Sequence, residues 1–430
     1  MKMSVIELMK SDYPAITPEA AGIEALRLAC EIVKAPPAKE FSFMSGSMGT
    51  LVFLCGALRY QRESGISLHA LPYIEKVLKS LEASLTDGVQ NDLSLASGLC
   101  GSIHALHLLN CIGSPRETLS LYALAIDRLS AASPVDPGYT DYYLGTAGRI
   151  SVLSEIIEDA ERFPYALLDA PRCSALREML LAAMEQLCSK QCIHTDGELL
   201  WDLIYTQKPI SGLGHGMFGI GAALLGGADV LEQVSGLASK DQIERFRRAG
   251  WDALRFERNT YRPDLTDWPD LRPNASPSAS LHGICSGAPG IGMGLLGLHD
   301  ALRIKESREL LKLTHNSCLR APLRKRDHLC CGKASLAEYF LTRYALTGEG
   351  KDYDTAGRIL SYMNSERLHC GLGSYTFPAA VGAGDTSLFF GSAGIGYEYL
   401  RYAFPVLPPV LPWHSCLALT RQTERQTGDA

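Results

Sequence analysis

The chain has 430 residues, 46% of them apolar and 20% charged, with a net charge of −6. That is enough polypeptide for a large buried core, and the balance is ordinary for a globular protein. The acidic net charge and the lack of any long basic run argue against a nucleic-acid partner, and no window approaches the ~20 apolar residues of a membrane span.

The first residues, MKMSVIELMKSDYPAI, lack the apolar core of an export signal, so a cytoplasmic protein is expected. Its thirteen cysteines are then expected as thiols, most of them buried and a few of them ligands. An amphipathic run, ALRLACEIVK, starts at Ala25. At Gly46 comes the first copy of a repeat, Gly-x-x-Gly followed by an apolar helical stretch: GSMGTLVFL. A second amphipathic run, YIEKVLKSLEASL, starts at Tyr73, and the repeat returns as GLCGSIHAL from Gly98 and GTAGRISVL from Gly145. It continues as GMFGIGAAL from Gly216, GAPGIGMGL from Gly287, GKASLAEYF from Gly332 and GSAGIGYEY from Gly391. The sixth of these seven copies carries Ser335 where the others have the second glycine.

Successive copies are 52, 47, 71, 71, 45 and 59 residues apart, room each time for two helices and their connections. The helix after each Gly pair is apolar nearly all round and is expected to be buried on most sides; the intervening runs have one wet face. The expected fold is all-α, an α/α toroid of about seven inner and seven outer helices. A closed ring is preferred over an open solenoid because such apolar inner helices need partners on both sides. Strand signals are few; GSYTFPAAV, from Gly373, reads as a short extended piece. Pro-rich loops fall at Ala35–Lys39, Ser133–Gly138 and Arg262–Pro277. The toroid is assigned to residues 1–405, and 406–430 to a Pro-rich, then polar, partly disordered tail.

In a ring, the positions just before each Gly pair meet at one pole. Asp141 lies four residues before Gly145, His215 directly before Gly216, Cys285 two before Gly287, and Cys330 and Cys331 directly before Gly332. Three cysteines and a histidine in this register suggest a metal site, and thiolates favour zinc. Three Cys ligands would leave a fourth position open, as catalytic zinc requires, whereas four ligands including His215 would close the site. Each residue alone has a plainer reading: a buried thiol, as for Cys30, Cys55, Cys100 and Cys111, a structural histidine, or a helix N-cap for Asp141. The Gly-rich turns are not phosphate cradles, since no P-loop lysine follows and no strand precedes them.

At these residues the sequence resembles the lanthionine synthetase cyclase (LanC-like) family. ICSGAPGIGMGLL (Ile284–Leu296) is similar to its W-C-x-G-x-P-G motif, LCCGKASL (Leu329–Leu336) to its C-H-G motif, and GLGHGMFGIG (Gly212–Gly221) to its H-G-x-x-G-I element. SLFFGSAGIGYEYLR (Ser387–Arg401) is similar to its closing repeat, and TDWPDLR (Thr266–Arg272) to a stretch found in bifunctional LanM-type relatives. The resemblance spans about residues 40 to 405. It implies an α/α toroid with one catalytic zinc held by Cys285, Cys330 and Cys331, with His215 as acid/base and Asp141 near it. Cys331 replaces the histidine ligand of most relatives, a Cys-Cys-Gly form shared with a subset of LanM cyclases. Ile284 and Ser286 replace an aromatic and an aromatic or His. The region of an arginine that some relatives carry holds Leu281 and His282.

The implied reaction adds a peptide cysteine thiolate to dehydroalanine or dehydrobutyrine, giving a thioether ring. Its partners would be a dehydrated precursor peptide, leader plus core, and a separate dehydratase if the chain is a stand-alone cyclase. Two other readings stay open at this point: a relative adding glutathione to dehydrated residues, and a toroidal scaffold with structural cysteines. A glycosidase barrel would need paired carboxylates at the pole, and only Asp141 is in register.

Overall fold

In the computed structural model every Gly-x-x-Gly copy opens a helix. The structure describes residues 3–88, 92–113, 117–132, 138–162, 168–194, 197–204, 206–234, 236–276, 279–298, 305–323, 326–370, 375–377 and 384–412. The helices of the first half are α1 (Val5–Lys10), α2 (Pro18–Ile32), α3 (Ser47–Ser64), α4 (Leu71–Asp87), α5 (Leu99–Ile112), α6 (Glu117–Ala131), α7 (Thr146–Arg162) and α8 (Ala170–Cys188). A hairpin follows, β1 (Cys192–Ile193) and β2 (Leu199–Leu200). Then come α9 (Met217–Gln233), α10 (Lys240–Thr260), α11 (Ala288–Gly297), α12 (Lys305–Arg320), α13 (Lys333–Thr347), α14 (Gly350–Cys370) and α15 (Ser392–Ala403). The odd-numbered helices from α3 to α15 form the inner barrel, each touching the next, and α15 returns to α3. The even-numbered helices pack outside, as α10 does through Ile243, Phe246, Gly250, Ala253, Leu254 and Glu257 on one face.

Sterics explain the motif. A Cβ on the second glycine would fall 1.8–2.2 Å from the carbonyl oxygen of Phe43, Leu95, Tyr142, Leu213, Ile284 or Leu388, always the residue three before the first glycine. Only hydrogen fits there, because the strand leading in folds back against the first helical turn. In the sixth repeat, where Ser335 is accommodated, its hydroxyl bonds the carbonyl of Gly332 (2.6 Å).

Closure is visible in the backbone. The residue two before each first glycine takes part in a circular chain of amide–carbonyl bonds: Met44 to Ala96, Ala96 to Tyr143, Tyr143 to Gly214, and Gly214 to Cys285. Ile284, one residue earlier than strict register, donates to Cys330; Cys330 donates to Phe389, and Phe389 back to Met44. The distances run from 2.7 to 3.1 Å. The ring is therefore closed at one pole by seven hydrogen bonds, one per repeat.

Deeper in the barrel the lining is polar. His104 pairs with Glu155 (2.9 Å) and His107 with Asp159 (2.8 Å), joining α5 to α7. After α15 the chain turns inward. Val410 donates its N–H to Glu338 (3.0 Å) and its carbonyl lies 3.0 Å from His104 Nε2, while Tyr397 donates to the carbonyl of Pro408 (2.9 Å). Val406, Leu407, Val410 and Leu411 are buried, so residues 406–412 belong to the packed core although composition alone assigned them to a tail. Residues 413–430 lie outside the described residues, as do most of GSYTFPAAV and 133–137. Among the described residues no helix is long and apolar enough to cross a membrane.

Candidate metal and catalytic centre

The closing ring of hydrogen bonds places the loops before α7, α9, α11 and α13 side by side. Glycines let three of these loops touch. A Cβ at Gly212 (φ +107) would lie 2.9 Å from Ser286 Cα, and one at Gly283 would lie 2.7 Å from Cys331 Cα. The consequence is a cluster of sulfurs: Cys285 Sγ is 2.8 Å from Cys331 Sγ, which is 3.4 Å from Cys330 Sγ. All three donor atoms lie within 4.8 Å of one another. Cys285, Cys330 and Cys331 are free thiols.

Without a cation these thiols cannot all ionise. Hydrogen bonds from Cys330 and Cys331 hold Cys285 well below the ordinary thiol range, helped by the nearby charges of His215 and Arg272 against the effect of burial. Donating to Cys285 pushes Cys330 and Cys331 up, and burial pushes them further. One negative charge shared over three sulfurs is what a buried cluster supports alone; three thiolates need a divalent ion at their centre. The donor set fits zinc, and three donors leave one of its four tetrahedral positions to another ligand.

His215 and Asp141 come together beside this cluster. His215 Nδ1 is 3.2 Å from Asp141 Oδ2. Asp141 is buried, with Leu144 N–H donating to its other oxygen (2.7 Å), so the carboxylate is fixed. The His215 side chain is 37% exposed against 1% for Asp141, so the imidazole faces solvent from a rigid support. Its other neighbour is the Tyr143 ring, edge-on at 5.3 Å.

Several residues at this pole were not singled out in the sequence. Tyr143 stands two before Gly145, the position held by Cys285 and Cys330 in their repeats, so the register itself was the signal. Its hydroxyl is buried and has no hydrogen-bond partner among the described residues. Arg272 lies where its charge is felt by Cys285 and Cys331, and is held by Asp270 (2.6 Å). Asp267 accepts from Ala288 N–H (3.0 Å) at the start of α11 and lies 2.6 Å from His282 Nδ1, which sets the loop that carries Cys285. His328 accepts from Cys331 N–H (3.4 Å), and burial pushes its pKa down to about 4. On the His215 side, the buried Glu257 accepts from Gly212 N–H with both oxygens, at 3.1 and 3.2 Å.

A family profile described as "Lanthionine synthetase C-like protein" matches residues 37–417. The chain belongs to that family. Among solved structures it is similar to one titled "Nisin cyclase", at 16% identity over 93% of this chain and 96% of the other, with a TM-score of 0.61. At that identity the likeness is one of fold, and it agrees with the helical toroid described above. Comparison with curated proteins finds no match.

Proposed function

We propose that this LanC-like chain is a zinc-dependent cyclase that joins peptide cysteine thiols to dehydroalanine or dehydrobutyrine. The observation carrying the reading is the cluster of Cys285, Cys330 and Cys331 beside the His215–Asp141 pair. Zinc bound there would hold an incoming thiol as thiolate, which is otherwise only a few per cent ionised at pH 7. Addition to the β-carbon leaves an enolate that needs a proton at the α-carbon. His215, held through Nδ1 by Asp141, handles that proton from its other ring nitrogen. Arg272 adds positive charge near the sulfurs. Tyr143 walls the site between His215 and Phe389, its ring 5.3 and 6.0 Å from theirs.

The substrate in this reading is a dehydrated precursor peptide, leader plus core, and its dehydro residues come from a dehydratase activity. Free thiolate ligands suit a reducing, cytoplasmic setting. Metal analysis of wild type beside Cys285→Ala and Cys330→Ala tests the proposal, with ring formation followed by counting alkylatable thiols on a dehydrated peptide by mass spectrometry. Wild type should hold zinc at this centre and consume thiols, and both variants should lose both properties. Variants that keep the metal, or that close rings at the wild-type rate, defeat the reading.

A further inference from the structure

The hairpin between α8 and α9 carries a second set of metal donors. β1 pairs with β2 in the register Cys192↔Leu200 and Ile193↔Leu199. Cys192 opens β1 and His194 directly follows it, two residues on. Across the hairpin the chain continues from Leu200 through Trp201 to Asp202. Cys192 Sγ is 3.4 Å from His194 Nε2, which is 3.6 Å from Asp202 Oδ1, and the three donor atoms lie within 4.8 Å of one another. Two ligands at zinc bond lengths of ~2.0–2.3 Å and a tetrahedral angle stand roughly 3.4–3.6 Å apart. The two distances match those edges.

The backbone around the donors is fixed from outside the set. Trp201 is fully buried and donates Nε1–H to the carbonyl of Leu187 (2.8 Å). Leu200 and Leu203 are also buried, which clamps the chain on both sides of Asp202. On the other strand, His194 N–H donates to Glu198 (2.9 Å). The hairpin itself has only two residue pairs, too few to hold a turn rigid unaided. A cation bridging 192, 194 and 202 would tie its two strands together. Without one, the Cys192 thiol donates to the carbonyl of Leu200 (3.5 Å). On binding, that proton leaves to solvent. Thiolate, carboxylate and neutral imidazole then balance a divalent ion to zero charge, and the His194 and Asp202 side chains, 24% and 51% exposed, leave it reachable from solvent.

The remaining Cys/His/acid cluster is different in kind. His107, Cys111 and Asp159 are fully enclosed, and both His107 nitrogens are engaged, by Tyr122 (3.1 Å) and Asp159 (2.8 Å). That network is satisfied as it stands and needs no ion.

We propose that Cys192, His194 and Asp202 form a second zinc site, peripheral to the cysteine cluster at the pole, with a fourth position open to water or an external ligand. Soft and borderline donors together select zinc over calcium or magnesium. The site stands apart from the proposed reaction and does not depend on it. Metal-free protein titrated with Co2+ tests it, read by sulfur-to-cobalt absorption and by native mass spectrometry. Wild type should take up two ions per chain at micromolar metal. Cys192→Ala and His194→Ala should each take up one and still form rings, and Cys330→Ala should retain the hairpin ion while losing the polar one. Uptake that Cys192→Ala and His194→Ala leave unchanged overturns the proposal. So does a second ion held only at millimolar metal. If Cys330→Ala binds no ion while Cys192→Ala binds one, the hairpin site is refuted and the polar centre stands.

Discussion

Replacing Gly290 by alanine sets two effects against each other. Gly290 sits in the first turn of α11, where Ala gains roughly 0.5–1 kcal/mol over Gly by helix propensity alone. Against that, the new methyl would lie 2.0 Å from the carbonyl oxygen of Ile284 and 3.0 Å from Leu213 Cβ. A carbon and an oxygen need over 3 Å, so the Ile284 peptide must retreat by about 1 Å. Overpacking of this kind costs ~1–3 kcal/mol. The clash wins, with a net loss of about 1–2 kcal/mol. The displaced peptide joins Ile284 to Cys285, and Ile284 N–H also donates to Cys330 (2.7 Å). Zinc affinity should therefore fall at least tenfold along with stability. Two companions separate the causes. Gly394→Ala makes the same clash, 1.8 Å from the Leu388 carbonyl, in a repeat without ligands, and should lose stability while keeping zinc affinity. Gly226→Ala meets only Leu298 Cδ2 at 3.9 Å and should gain roughly 0.5–1 kcal/mol. Denaturant unfolding and competitive zinc titration measure both quantities. If Gly290→Ala and Gly226→Ala change stability in the same direction, the steric account of the motif is wrong.

His215→Ala should leave zinc content unchanged and slow ring formation by ~10²–10⁴, the usual size of a positioned acid/base; an unaffected rate removes His215 from the chemistry. Cys331→His should keep zinc while raising the centre's formal charge from −1 to zero. The bound thiolate then becomes less electron-rich, so the rate or the ring pattern should change, and identical behaviour on several peptides contradicts this. Burial raises Glu257 from the ordinary carboxyl value of 4.5 to about 8, opposed by the Gly212 N–H bond. A folded value above the unfolded one means stability present below pH ~4.5 and lost as pH climbs to ~8, on the order of a few kcal/mol. Thermal unfolding of Glu257→Gln should show a shallower loss between pH 5 and 9 than wild type; parallel curves would show that Glu257 titrates normally.

The repeat was legible because steric necessity wrote it into the sequence: in six of the seven inner helices nothing but hydrogen fits at the third residue, and only α13 departs, with Ser335. The positions of Cys285, Cys330, Cys331, His215 and Asp141 follow from the same register. What was not legible depends on contacts without a period. Arg272 approaches the sulfurs from a long loop, and no spacing rule relates it to the Gly pairs. Residues 406–412 look like a linker by composition, yet they are buried because the barrel interior offers Glu338, His104 and Tyr397 as hydrogen-bond partners. The hairpin has strands of two residues each, below the length at which alternation can be read.

The circular hydrogen-bond chain also explains why chemistry gathers on one arc of the rim. Its members in order are Met44, Ala96, Tyr143, Gly214, Cys285, Cys330 and Phe389. The loops of Tyr143 and Gly214 bring Asp141 and His215, and the next two bring the cysteines, so carboxylate, imidazole and sulfurs follow one another in rim order. On the opposite arc the ring members are Met44, Ala96 and Phe389, none of which has a titratable side chain. Under the proposed reaction, this one-sided placement would orient a substrate whose thiol must reach the sulfurs while its dehydrated residue, uncharged and flat, lies near His215. Repeat symmetry builds the ring; departures from it, one, two and four positions before the first glycines, make the candidate site.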